Sequence, residues 1–251
     1  MHNLVIDIGN TNTKLAIFSG RDMIHFQSAK QFDPSFIEDL IVEHEVTSSS
    51  ISSVGGDSQL LIDILENRTR FFPFATDLEI GVKNHYKTPE TLGLDRWAKV
   101  IAASKNYPGK NSFIIDAGTC ITYDFINSDA AYFGGSISPG IQMRFAALNH
   151  YTKRLPLLSW DAKETVIPAG VDTASAIRNG VLQGVVNEVE GNIGLHNKIN
   201  NGLVILITGG DATFLFEQLK NSIFAPQIIH DPYLVLKGLN EVIAFEYVQK
   251  D

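Results

Sequence analysis

The chain has 251 residues, of which 44% are hydrophobic, and 28 Asp+Glu against 20 Lys+Arg give it a formal net charge of −8. A chain of this length buries about 70% of its unfolded surface, which excludes a disordered tail or a stapled mini-protein, and the acidic balance, with no basic run longer than Lys153-Arg154, argues against nucleic-acid binding. One cysteine, Cys120, excludes an intrachain disulfide, no leader precedes the apolar segment from Asn3, and runs such as Leu203–Ile207 are far too short to span a bilayer, so a cytoplasmic protein with no membrane partner is expected.

Leu4–Ile8 and Lys14–Phe18 are apolar, β-rich runs joined by Gly9-Asn10-Thr11-Asn12, which predicts a hairpin, with Arg21–Lys30 as a third strand. Pro34–Glu45 reads as a helix with Phe36, Leu40 and Ile41 on one face. Ile51–Val54 reads as a short strand closed by Gly55-Gly56, and Gln59–Arg70 as a second helix. Within Tyr86–Lys105 a further helix is expected, capped by Thr88 or Thr91, with Leu94, Trp97, Val100 and Ile101 on its apolar face. Strands are expected at Phe113–Asp116, Ile121–Ile126 and Ala131–Ile137, then a helix over Pro139–Asn149 with Pro near its first turn. Val171–Asn192 has apolar residues at 171, 174, 177, 181, 185 and 189, near helical spacing. It reads either as a core helix of its own domain or as one that pairs with another subunit. Leu203–Thr208 is a buried strand closed by Gly209-Gly210-Asp211, and Pro232–Lys250 is a final helix that either stays with the second domain or crosses back to pack on the first.

Strands, helix, strand, helix is an α/β pattern, and it restarts. Asp7-x-Gly9-x-Thr11 recurs 109 residues later as Asp116-x-Gly118-Thr119, each at the end of an apolar strand. Asp-x-Gly is common at strand ends, but two copies in matching contexts point to a duplicated unit. The duplication predicts domains of 1–109 and 110–251, with the boundary in the turn-like Tyr107-Pro108-Gly109-Lys110.

The two turns are the first candidates for chemistry. Gly9 lets the backbone approach a ligand closely, and Asn10, Thr11, Asn12 and Thr13 add neutral donors to the turn amides, which suits phosphate oxygens. Asp7 suits Mg²⁺, directly or through water, bridging to those phosphates. An ordinary Asn-rich hairpin accounts for the same residues equally well. Asp116 is a second candidate cation ligand and Thr119 a second phosphate donor. Facing phosphate turns match the plan of actin-like ATPases and sugar kinases. Gly209-Gly210 would then sit on the adenosine side, although Gly-Gly also simply ends strands. Asp95 and Arg96 diverge by about 100° on a helix. They read either as a first-turn acid favoured by the helix dipole beside a surface Arg, or as a hydroxyl acceptor beside a guanidinium that meets an anion. Lys14 reads as a phosphate contact or a solvated strand lysine, Cys120 as a core thiol, and the seven His show no zinc spacing.

Taken together, Asp7-Ile8-Gly9-Asn10-Thr11-Asn12-Thr13-Lys14, Tyr86-Lys-Thr-Pro-Glu-Thr-Leu-Gly93-Leu94-Asp95-Arg96, Asp116-Ala-Gly-Thr119-Cys-Ile-Thr-Tyr-Asp124, Gly134-Gly-Ser-Ile-Ser-Pro-Gly140 and Thr208-Gly-Gly-Asp211 resemble the motifs of the type III pantothenate kinases, in order and over nearly the whole chain. Leu94 stands where the family pattern has Ala. The resemblance implies an α/β fold of duplicated actin-like (ribonuclease-H-like) domains with an inter-domain ATP cleft, and ATP-dependent phosphorylation of pantothenate to 4′-phosphopantothenate, the first step towards coenzyme A. It implies Asp95 as the acceptor of the pantothenate hydroxyl proton. Tyr86, Gly93, Leu94, Asp95, Arg96 and Thr173 would contact pantothenate. Residues Asp7, Ile8, Gly9, Asn10, Thr11, Asn12, Thr13, Lys14 and Thr119 would bind ATP, with Mg²⁺ near Asp7. Asp116 would hold a monovalent cation, K⁺ or NH₄⁺. A homodimer is implied too, which raises the interfacial reading of Val171–Asn192. The competing readings are another kinase or hydrolase of the same superfamily, an accessory factor for transcription, and an ATPase switch.

Overall fold

The computed structural model describes residues 1–53, 58–78, 80–200 and 202–248. The chain divides into two units: residues 1–108, 130–133 and 233 onward in one, and 109–129 with 134–232 in the other.

In the first unit β1 (His2–Ile8) and β2 (Thr13–Ser19) form the expected hairpin, with Asp7 opposite Lys14 and Ile8 opposite Thr13. β3 (Asp22–Ala29) extends it antiparallel. Asp33 caps α1 (Pro34–Glu43), its carboxylate accepting from the Ser35 N–H, with Pro34 at the helix start. β4 (Val46–Ser53) returns parallel to β1, placing Ser52 beside Asp7. α2 (Gln59–Arg68) stops two residues before the expected Arg70, which opens β5 (Arg70–Phe71) alongside β4. The sheet order is β3-β2-β1-β4-β5.

β4 is twice the expected strand. Ser48, Ser49, Ser50 and Ser52 are all fully buried, although no hydrophobic run marks them. A strand hydrogen-bonded on both edges needs no apolar side chains to hold its backbone, and serine takes little room under a helix. Val54 and the expected Gly55-Gly56 closure lie outside the described residues. Alternation divides the sheet into two faces. Leu4, Ile6, Leu15, Ile17 and Ile51 pack with Ile37, Leu40 and Ile41 of α1 and Leu65 of α2. Asn3 points the other way, donating to Asn240. Asp7, in phase with Asn3, lies on that second face. β6 (Lys83–Asn84) and α3 (Leu94–Asn106) come next in the chain, and α3 packs on β4.

The second unit repeats the plan. β7 (Ser112–Ala117) and β8 (Cys120–Ile126) form an antiparallel hairpin with Asp116 opposite Thr122. β9 (Ala131–Pro139) flanks β8; its first residues, Ala131 and Tyr132, pair with β6 in the first unit. Gly140 precedes α4 (Ile141–Tyr151), so Pro139 ends the strand rather than opening the helix. α5 (Thr173–Ile199) starts at a capping box of Asp172 and Ser175. β10 (Val204–Thr208) runs parallel to β7, α6 (Ala212–Leu219) comes after it, and β11 (Ile228–His230) lies parallel to β10. The order β9-β8-β7-β10-β11 reproduces that of the first sheet. Ile177, Val181, Val185 and Val189 of α5 are buried against Phe113, Ile115, Ile205 and Ile207, so the long helix covers the sheet of its own unit. Val171 is exposed because the helix begins after it. The Tyr123 hydroxyl donates to Glu188, which also takes a hydrogen bond from Arg144, tying β8, α5 and α4 together.

α7 (Leu234–Val248) departs from the expected division at 110–251: it belongs to the first unit. It packs on α3, β1, β4 and β2 with Leu236, Leu239, Val242 and Ile243 buried. Asn240 donates to the Gly20 carbonyl at 2.8 Å and Glu241 pairs with Arg21 at 2.9 Å. A helix-period pattern identifies such a segment but not the sheet it will cover. Where α7 crosses α3 the backbones are so close that a Cβ on Gly238 would lie 2.0 Å from the Ala98 carbonyl oxygen. Gly238→Ala is therefore expected to cost about 2–3 kcal/mol, as overpacking does, read as a lowered urea midpoint; an unchanged midpoint would contradict the crossing.

Candidate active site

The first turn grows out of the β1–β2 register. The Gly9 N–H donates to the Asn12 carbonyl at 3.2 Å, closing residues 9–12. Asn10, Thr11 and Asn12 are exposed, Ile8, Gly9 and Lys14 half-buried, and Thr13 and Asp7 buried. Across β2, β1 and β4 the polar face carries the row Lys14, Asp7, Ser52. The Ser52 hydroxyl is buried with no hydrogen-bond partner. Exposed amide and hydroxyl donors suit phosphate oxygens, and a single carboxylate suits Mg²⁺ that keeps most of its water and takes phosphate oxygens.

The second turn has the same construction. The Gly118 N–H donates to the Cys120 carbonyl at 3.0 Å, and Thr119 is exposed. Asp116 is half-buried between Thr122 on β8 and Thr208 on β10. The Thr122 hydroxyl is a buried oxygen without a partner. Oxygen donors of this kind fit a hard monovalent cation. Among the described residues no group of three or more His, Cys, Asp or Glu gathers as a metal cluster. The Gly209–Asp211 turn presses on the same strand end: Gly209 has φ +99°, and a Cβ there would lie 2.3 Å from the Ala117 carbonyl oxygen and 2.4 Å from Asp116 Oδ1. The Asp211 N–H donates to that carbonyl at 2.8 Å. Burial pushes the Asp211 carboxyl up to about 6. Cys120 is half-buried beside Met143, its Sγ 3.8 Å from Sδ, and is not the core thiol expected.

The stretch from Tyr86 to Arg96 is built differently from expectation. Thr88 and Thr91 do not cap α3. They bond to each other around a short 3₁₀ turn over Pro89–Thr91, and α3 starts after Gly93 with no side-chain cap. Gly93, Leu94 and Asp95 are half-buried in the opening turn. Arg96 is not a surface residue: it is 5% exposed. Its Nη2 donates to the Tyr132 hydroxyl at 3.2 Å, and its guanidinium lies 5.7 Å from the centre of the Tyr86 ring, which stacks on Tyr132. Tyr86 and Arg96, ten residues apart, thus form one cation–aromatic unit.

Asp95 Oδ2 accepts from Lys99 Nζ at 2.8 Å; the ammonium is completely buried, while the carboxylate side chain is 32% exposed. Burial alone would push the Asp95 carboxyl up. The Lys99 charge and hydrogen bond, with the Arg96 amide and guanidinium, outweigh it and hold the carboxyl below the ordinary aspartate range. Lys99 stands outside every motif named from the sequence, although its i,i+4 spacing from Asp95 is a usable signal. Asp7, Tyr86, Asp95 and Arg96 lie in the first unit, and Asp116, Thr119 and Thr173 in the second. Asp7 and α3 share one face of the first sheet. Thr173 is exposed at the first position of α5, on the lip of a groove of about 820 Å³ lined by Leu148, Tyr151, Leu155, Ile177 and Val181.

The sequence pattern described as type III pantothenate kinase matches residues 3–194. The chain belongs to the type III pantothenate kinase family. A type III pantothenate kinase of Phocaeicola vulgatus is 41% identical over 244 residues, 97% of this chain and 98% of that protein. Among solved structures, a Campylobacter jejuni protein named for the Baf family of transcriptional activators superposes with TM-score 0.59 at 22% identity, covering 98% of this chain and 99% of that one. An activator of 2-hydroxyisocaproyl-CoA dehydratase from Clostridium difficile, solved with bound ADPNP, superposes with TM-score 0.54 at 14% identity, covering 100% and 96%. The fold is that of the actin-like ATPases and sugar kinases, an α/β fold of duplicated units. The family match contains both turns and all of the 86–96 stretch, while the Phocaeicola vulgatus relative also extends over most of the chain beyond residue 194.

Asp211 supplies a test in this type III pantothenate kinase chain that is independent of activity. Its folded pKa lies above the unfolded value of 3.8, so the folded state favours the protonated form. The stability from this group is present below that value and lost as pH rises through about 6. Asp211→Asn is expected to raise stability by about 1–2 kcal/mol at pH 8, screening discounted, and to leave it unchanged below pH about 4; thermal melts at the two pH values read the difference.

Proposed function

We infer that this chain transfers the γ-phosphoryl group of ATP to the hydroxyl of pantothenate, forming 4′-phosphopantothenate in coenzyme A synthesis. The observation that carries the inference is the 41% identity to a type III pantothenate kinase along essentially the full length of both chains. Among the described residues no helix is long and apolar enough to cross a membrane.

Phosphoryl transfer asks a protein for positioning and charge neutralisation rather than covalent chemistry. Asp95 accepts the pantothenate hydroxyl hydrogen bond and takes its proton late in the step. An ionised carboxylate suits this, and Lys99 and the Arg96 amide favour that form. Arg96, held by the Tyr86 ring and the Tyr132 hydroxyl, supplies a fixed positive charge in the same helical turn. Gly93 and Leu94 line the approach to Asp95, and Thr173 contacts pantothenate from the start of α5. The 9–12 turn with Asp7, Thr13 and Lys14 binds the ATP phosphates, and Thr119 donates to them from the second turn. Mg²⁺, when bound, neutralises β- and γ-phosphate charge, and Asp7 would hold it, with water between. A monovalent cation, K⁺ or NH₄⁺, would be held by Asp116 with Thr122 and Thr208 and would offset that carboxylate beside the phosphates. A homodimer in the cytoplasm completes the reading; the groove lined by Leu148, Leu155 and the exposed Tyr151 gives it an apolar surface to cover.

Asp95→Asn is expected to lower kcat by about 10²–10⁴, the weight of a positioned base, with ATP affinity little changed; near-wild-type turnover would remove Asp95 from this role. ADP release with Mg·ATP is expected only when pantothenate is present, and is expected to fall when Na⁺ replaces K⁺. Pantothenate-independent ADP would instead indicate a hydrolase or a switch ATPase.

A further inference from the structure

We propose that Lys99 is a positioning residue of the phosphoryl transfer: from one turn further along α3 it holds Asp95 as an anion and fixes which carboxylate oxygen faces the pantothenate hydroxyl. The proposal rests on the Asp95 reading above and deepens it.

The geometry is asymmetric. Asp95 Oδ2 is engaged by Lys99 Nζ at 2.8 Å. Oδ1 is on the Gly93 side, only 2.7 Å from where a Cβ of residue 93 would stand. The bare glycine leaves room beside Oδ1, and the lysine occupies Oδ2. The exposures differ as well: the Lys99 side chain is 0% exposed and that of Asp95 32%. The carboxylate is open to solvent on one side, whereas the ammonium is enclosed.

Burying an ammonium carries a desolvation cost that its ion pair must offset. Lys99 stands among buried Ala98, Val100, Ile101 and Ala102, where an apolar side chain is the usual occupant. The charge is useful where Asp95 must stay ionised in a half-buried site while it meets a substrate hydroxyl.

The experiment measures kcat at saturating ATP and pantothenate against pH for wild type, Lys99→Met and Lys99→Arg, with Asp95→Asn in parallel. In Lys99→Met the acid limb of kcat is expected to move up by about one unit or more, as on loss of an adjacent opposite charge. Its kcat at pH 7 is expected to fall about 10–100-fold, with KM for ATP unchanged, and Lys99→Arg should recover most of both. Lost activity with an unmoved acid limb means a structural role for Lys99 and overturns the proposal. Wild-type kcat in Lys99→Met overturns it too, and leaves Asp95 in place. Wild-type kcat in Asp95→Asn overturns the Asp95 reading and this proposal together. A ¹³C titration of the Asp95 carboxyl in the wild-type protein, assigned through bonds, needs no variant to fold. A midpoint below the ordinary aspartate value is expected, and one at or above it overturns the proposal.

Discussion

Strand register is the constraint on which both candidate turns depend. Asp7 opposite Lys14 and Asp116 opposite Thr122 place each carboxylate on the polar face of its sheet. Side chains alternate across a strand, so a slip of one residue would drive either carboxylate into the apolar layer with Leu4 and Ile6, or with Phe113 and Ile115. The buried apolar faces forbid that slip. The cores therefore do more than stabilise the two units: they aim the carboxylates. Parallel strands β4 and β10, laid against β1 and β7, then set Ser52 and Thr208 beside them.

The duplication makes the two units comparable in detail. Each presents a hairpin, a glycine turn and an acidic residue flanked by hydroxyl- or amine-bearing neighbours in the adjoining strands. They differ in what lies over the polar face. The first unit sets α3 there, with Asp95 and Lys99. The second brings the Gly209–Asp211 turn against the Asp116 strand end, where a side chain would collide with the Ala117 carbonyl. The two units thus diverge in the segments after the strands, with the strand order itself unchanged.

Much of this was legible in the residues. Both hairpins, the α5 stripe and the Asp-x-Gly pair emerge from local periodicity and turn composition, which need no partner to be read. β4 was half-missed because serine carries no hydrophobic signal, and its strand state is set by neighbours on both edges. Arg96 reads as a surface residue from sequence because burial of a guanidinium depends on Tyr86 and Tyr132, ten residues before it and 36 after it. Lys99 escapes notice because helical periodicity assigns lysine to a wet face, and only the fold shows that this one is dry. The return of α7 to the first unit is a long-range choice between two sheets that both need covering, and a local pattern carries no information on it.

That return bears on synthesis. Residues 1–108 of the first unit leave the ribosome before anything of the second unit exists, yet the helix that packs on β1, β2, β4 and α3 is translated only after 109–232. Until then Val5 and Ala16, which are fully buried in the finished fold, lack part of their cover. The later-made unit has all its own elements first, and the earlier one waits for it. Vectorial folding of this chain is inverted, with the exposed first sheet the segment a nascent-chain chaperone would find.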